Sequence, residues 1–218
     1  LRAYEPVVKY TEGELFFPMA VEPYVAAASL WQMGPNKQRR ELVPPGELTI
    51  DRLALQPEPP AGHSLYLRFQ KEPLGALDYQ RWRARPDRPI LHAAGRLTRV
   101  GIASRVLSSL FNFTLLLRGA VPGGTAGAAD IAIRKIRATD PRFVYYGRVV
   151  RAGGYIILHY VFFFAMNDWR SSFHGINDHE ADWEQCFVYL VEGPNAEYQP
   201  RWVAFASHDY SGDDLRRR

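Results

Sequence analysis

The chain has 218 residues, 47% of them hydrophobic and 23% charged, with 27 Lys and Arg against 23 Asp and Glu for a net charge of +4. A chain of this length and composition can bury a sizeable core unaided, and its mild positive charge permits an anionic partner without demanding one. Its single cysteine, Cys186, excludes an intrachain disulfide and a structural zinc site built on several thiolates.

Aromatic residues make up 13% of the chain, Tyr and Phe leading, which favours strands over helical bundles. The first residues read as extended: Pro6 and Pro18 with Val7, Val8, Phe16 and Phe17 oppose a helix. Residues 21–31 suit a short helix or an irregular stretch. The Pro- and Gly-rich residues 34–62 predict turns and an exposed loop, and the alternation over 63–69 predicts a strand.

Between 98 and 117 the pattern changes. Ala103, Val106, Leu107, Leu110, Phe113 and Leu117 recur at spacings of three and four and share one helical face. Pro122, Gly123 and Gly124 break that run, and Thr125 is placed to cap a second helix reaching about Arg137. The basic residues of this region, among them Arg99, Arg105, Arg134 and Lys135, read as a solvated face.

Beyond Pro141 the chain reads as an antiparallel meander: strands over 143–150, 155–164, 182–191 and 202–207, with a tight turn at Gly153 and Gly154. The second of these is apolar on both faces and is expected to be central, with His159 a hydrogen-bonded core residue and Cys186 a buried inert thiol. The fold expected is mainly β (α+β), an antiparallel β-sandwich with an inserted helical pair at about 98–137, as one domain over residues 1–218. The start at Leu1 and the end at three arginines predict a piece of a longer chain. The longest apolar stretch, 153–166, is shorter than the roughly 20 residues of a membrane helix, so no transmembrane span is expected in this segment.

The stretch that carries chemistry runs from residue 167 to residue 184, with five carboxylates, two histidines and one arginine between two apolar strands. Clustered negative charge needs a positive neighbour, and a divalent cation is the direct one. On a strand Asp182 and Glu184 face one side while Trp183 faces the other and pins the strand in the core. Asp168 leaves the preceding strand towards the same place, and His179 can curl back as a nitrogen ligand or as a donor behind the ligands. The metal site expected is therefore Asp168, His179, Asp182 and Glu184, and its oxygen-rich donors suit Mg²⁺, Ca²⁺ or Mn²⁺. Asp178 and Glu180 read as spare outer charges, and His174 as a loop residue. His208, Asp209 and Trp169 are candidate ligand-contacting residues at the same end of the sheet.

The run Asn177-Asp178-His179-Glu180-Ala181-Asp182-Trp183-Glu184 resembles the NDHxGDWE motif of the vacuolar protein sorting-associated protein sixty-two family. The opening, Tyr4 to Val8 with Glu14, Phe17, Pro18, Val21 and Glu22, resembles that family's start, and Trp202 to His208 resembles a later element of it. Residues 178–184 are more distantly similar to the GHRHDWE heptapeptide of the necrosis-inducing protein family, with Ala181 standing where that motif has its second histidine. The second resemblance implies a β-sandwich that holds a divalent cation at the heptapeptide and meets a membrane glycolipid, with His179, Asp182 and Glu184 in metal-site positions.

Three functions fit these residues. The first is a binding module whose cation organises recognition of an anionic lipid headgroup or a glycan. The second is a metal-dependent hydrolase with Glu184 or His208 as general base, and the third is a scaffold domain. No nucleophile with an adjacent base is visible, which ranks binding first. Nucleic acid is not expected as a partner, because an acidic site repels phosphate. The expected location is cytoplasmic or membrane-peripheral, and no secretion signal is visible in this segment.

Overall fold

A computed structural model of the chain describes residues 1–70, 72–89, 121, 123–168, 179–195 and 197–206, with the backbone of residues 216–217. The fold is mainly β, in two antiparallel sheets. The first takes β1 (Ser29–Met33), β2 (Arg39–Val43) and β3 (Ser64–Arg68) in the order β2-β1-β3. The second is the expected meander. It comprises β4 (Tyr145–Ala152), β5 (Tyr155–Asn167), β6 (His179–Glu192), β7 (Tyr198–Phe205) and the two-residue β8 (Arg216–Arg217), in chain order across the sheet. Gly153 and Gly154, at φ 57° and 79°, make the two-residue turn between β4 and β5, a conformation that glycine adopts without steric cost.

Residues 34–62 contain more structure than their prolines and glycines predict. They hold β2 and a one-turn helix, α2 (Ile50–Ala54), capped by the Thr49 hydroxyl accepting the Arg52 N–H at 3.1 Å. The edge strand β2 exposes Arg39 and Arg40, and α2 buries no residue, so neither element carries an apolar period. The short helix expected within 21–31 is α1 (Val21–Ala27), and Trp31 belongs to β1 instead. Pro23 is tolerated in its first turn, where N–H groups lack intrahelical partners. The Val21 N–H is satisfied by the Tyr146 hydroxyl at 3.0 Å.

Two further helices pack together, α3 (Ala76–Arg83) and α4 (Gly124–Thr139). The latter is the second member of the expected pair; the first, over 98–117, lies outside the described residues. Gly127 of α4 lies so close to α3 that a Cβ there would come within 2.8 Å of Leu74 Cδ1 and 3.3 Å of the Trp82 ring. The same contact holds a buried carboxylate. Asp130, 3% exposed, accepts the Trp82 indole N–H at 2.8 Å and Arg85 Nη2 at 2.7 Å, and Arg134 Nε reaches it at 3.1 Å.

Strand β5 is buried on both faces, which explains its continuous apolar sequence. Phe163 and Ala165 join Leu30, Val43, Tyr24, Ala129 and Ile133 in a core shared by both sheets and by α1 and α4. Tyr24 links the layers, stacked on Phe69 at 4.9 Å and edge-on to Phe163 at 5.0 Å. Leu158, Tyr160 and Phe162 form a second core with Cys186, Val188 and Leu190 on the opposite face. The N-terminal residues cover part of that face. Tyr4 packs on it, and the Tyr160 hydroxyl lies 2.8 Å from the carbonyl oxygens of both Leu1 and Tyr4.

Candidate functional site

The site begins where the second core loses its apolar residues. Along β6 one face reads Leu190, Val188, Cys186, then Glu184 and Asp182. In the β5–β6 register Phe162 pairs with Glu184 and Phe164 with Asp182, so both carboxylates sit on the side that the N-terminal segment covers. Residues 8–11 and Glu14 of that segment supply the facing wall. The result is a cleft of about 320 Å³ lined by Asp168, Asp182 and Glu184 on the sheet side, with Lys9, Tyr10, Thr11 and Glu14 also on its lining.

Three of the four expected metal-site residues thus share one cleft. Asp182 is 7% exposed and accepts a hydrogen bond from Asn167 Nδ2 at 3.0 Å. Asn167 is the last residue of β5 and pairs with His179 across the sheet, three residues along the strand from Phe164, the register partner of Asp182. Glu14 is held by its own turn, its Oε1 accepting the N–H groups of Leu15 at 2.8 Å and Phe16 at 3.2 Å.

His179 lies beside the cleft lining rather than in it. It is exposed at the start of β6 and does not line the cleft; its Nε2 lies 3.4 Å from the same Asn167 Nδ2 that serves Asp182. It therefore reaches the site through Asn167. Trp183 faces away from the carboxylates, as the period of two requires, but it is 44% exposed and not a core anchor. Its ring leans on Phe163 at 4.8 Å and on Tyr146 at 6.3 Å.

Glu180 is not a spare charge. Its two carboxylate oxygens accept the backbone N–H groups of Phe69 and Gln70, each at 2.7 Å, and so fasten the start of β6 to the end of β3. Between Glu180 and Asp182, Ala181 has φ 59°, the left-handed region that favours glycine. Trp169, His174, Asp178, His208 and Asp209 lie outside the described residues.

His159 is the core residue expected. It is 6% exposed, accepts Arg148 Nε on Nδ1 at 2.9 Å, donates from Nε2 to Gln185 Oε1 at 2.7 Å and stacks on Phe187 at 4.2 Å. Cys186 is buried, and burial pushes its thiol pKa up.

Among the described residues no three His, Cys, Asp or Glu side chains stand close enough together to hold one metal ion. No helix among them is long and apolar enough to cross a membrane. No family model matches the chain, and no curated protein or solved structure matches it.

The cleft wall from Lys9 to Thr11 is what sequence reasoning missed. Its signal was indirect: the extended opening with its two prolines had to lie against something.

Proposed function

We propose that the chain is a divalent-cation-binding domain that recognises a lipid headgroup or a glycan at the cleft between β6 and the N-terminal segment. The observation that carries this reading is that Asp168, Asp182 and Glu184 line one cleft of about 320 Å³. Their oxygen donors match the preference of Mg²⁺, Ca²⁺ and Mn²⁺, and Mg²⁺ in particular is held by one or two carboxylates with water completing its shell. An arrangement short of three convergent ligands is compatible with that mode of binding.

Asp182 supplies the most sheltered carboxylate, oriented by Asn167. Glu184, two residues on, presents a second from the same face, and Asp168 approaches from the end of β5. A bound cation would supply positive charge and open coordination positions for ligand oxygens. Lys9, Tyr10 and Thr11 offer an ammonium and two hydroxyls beside it, which suit phosphate or sugar oxygens.

Paramagnetic Mn²⁺ tests the location. Added at low ratio to the ¹⁵N-labelled chain, it is expected to broaden the amide signals of residues 166–168, 182–184 and 9–11 first, and Mg²⁺ in excess is expected to restore them. Broadening spread evenly over surface carboxylates would refute the assignment. Sedimentation with phosphatidylserine vesicles, with and without EDTA, then tests whether the ion mediates headgroup binding.

A further inference from the structure

A second cavity lies at the far end of the meander, about 390 Å³ in volume, formed by the β4–β5 turn, the end of β6 and the start of β7. Ile156 and Phe164 of β5 mark its end and the cation cleft, and eight residues of strand separate them by roughly 26 Å. The two sites do not depend on each other. The floor here is apolar: Leu190 is 4% exposed and Ile156 lies beside it in register. The rim carries Arg151 on one side, and Glu192 with its register partner Tyr198 on the other.

Arg151 and Glu192 are both exposed and oppositely charged, and among the described residues neither makes an ion pair or side-chain hydrogen bond. Register explains why they stay apart. Arg151 pairs with Ile156 and Ile156 with Leu190, so two strand spacings and a two-residue step separate Arg151 from Glu192, roughly 12 Å between Cα atoms. That separation leaves room for a ligand between the charged heads.

We infer that this cavity binds a small zwitterion that carries a phosphate at one end and an ammonium at the other, of the phosphoethanolamine or phosphocholine class. The Arg151 guanidinium offers paired N–H donors to phosphate oxygens. The ammonium meets the Glu192 carboxylate and the Tyr198 ring, 41% exposed, whose face attracts cations. Leu190 and Ile156 take the linking methylenes. A simple anion is disfavoured by Glu192 and a simple cation by Arg151, since both charges act within about a Debye length of the cavity centre. The volume falls in the range of small-molecule sites, roughly 300–1,000 Å³.

Titration of the ¹⁵N-labelled 218-residue chain with O-phosphoethanolamine tests this. Saturable shifts are expected at residues 151–156, 190–192 and 198, with inorganic phosphate and ethanolamine each binding roughly tenfold more weakly or worse. Arg151→Gln and Glu192→Gln, both surface changes that leave the fold intact, are each expected to weaken binding by roughly tenfold. Sedimentation with phosphatidylethanolamine vesicles separates the sources: vesicle binding lost in Arg151→Gln marks a membrane headgroup, and binding of the soluble ester alone marks a free metabolite. Absence of saturable shifts at these residues, or equal affinity in parent and both variants, would overturn the proposal.

Discussion

Asp182 is 7% exposed and its neighbour Trp183 is 44% exposed, the reverse of what their chemistry favours. A charged side chain is sheltered while a large apolar one meets solvent, and it is such inversions, not exposed apolar residues in general, that mark functional surface. The alternation of β6 forces the choice: with Cys186, Val188 and Leu190 committed to the second core, Asp182 and Glu184 must share their face and Trp183 must take the other.

The Glu180 bridge predicts a large stability effect away from the cleft. Glu180→Ala leaves the Phe69 and Gln70 N–H groups without their acceptor and is expected to cost about 2–3 kcal/mol in urea unfolding. Glu180→Gln, which keeps one acceptor oxygen, is expected to cost less. Amide exchange at Phe69 and Gln70 should accelerate in Glu180→Ala far more than at other β3 positions. Unchanged exchange there would show that the bridge does not form.

Ala181 predicts a stabilising change. A non-glycine residue at φ 59° costs about 1 kcal/mol, and Ala181→Gly is expected to raise unfolding stability by about 0.5–1 kcal/mol. Ala181→Val, β-branched at the same angle, should lower it.

The buried Asp130 is expected to be among the most sensitive positions in the chain. Asp130→Ala leaves the Trp82 indole without an acceptor and removes one of the two carboxylates that Arg85 and Arg134 share, Asp87 remaining to both, with an expected loss of about 1–3 kcal/mol. Calorimetry of the variant beside Arg134→Ala would check it, the second being milder because the Arg134 head is partly exposed.

Cys186 gives a pH prediction. Burial raises its thiol pKa in the folded chain, so folding favours the neutral form. Its stabilising contribution is complete below the unfolded thiol pKa, about 8.5, and is lost as pH rises through the higher folded value. Iodoacetamide is accordingly expected to react with the native chain far more slowly than with the urea-unfolded chain at pH 8.

The meander was legible in the sequence because β4 to β7 are rich in aromatic and β-branched residues, a Gly-Gly turn joins the first two, and β5, buried on both faces, reads apolar on both. The helix α4 was legible from the breaker before it, although Gly123 stands at its N-cap and Thr125, the expected cap, lies inside the helix. By contrast β2 hides behind exposed arginines, and α3 buries only Trp82, so neither has a period to read. The placement of Asp182 and Glu184 on one face followed from strand geometry alone. The roles of Glu180 and Asp130 did not, because their partners lie 110 and 45 residues away and only the tertiary fold brings them near. The exposure of Trp183 was missed because its ring leans on the margin of the first core, at Phe163 and Tyr146, and only the tertiary fold sets where that margin falls.

Thermal melting of the chelated chain on adding Mg²⁺, Ca²⁺ or Mn²⁺, with Asp182→Asn in parallel, bears most directly on the cation. At least one ion is expected to raise the melting temperature of the parent saturably, and Asp182→Asn is expected to lose the response. A melting temperature indifferent to all three ions, or an equal rise in parent and variant, would contradict it.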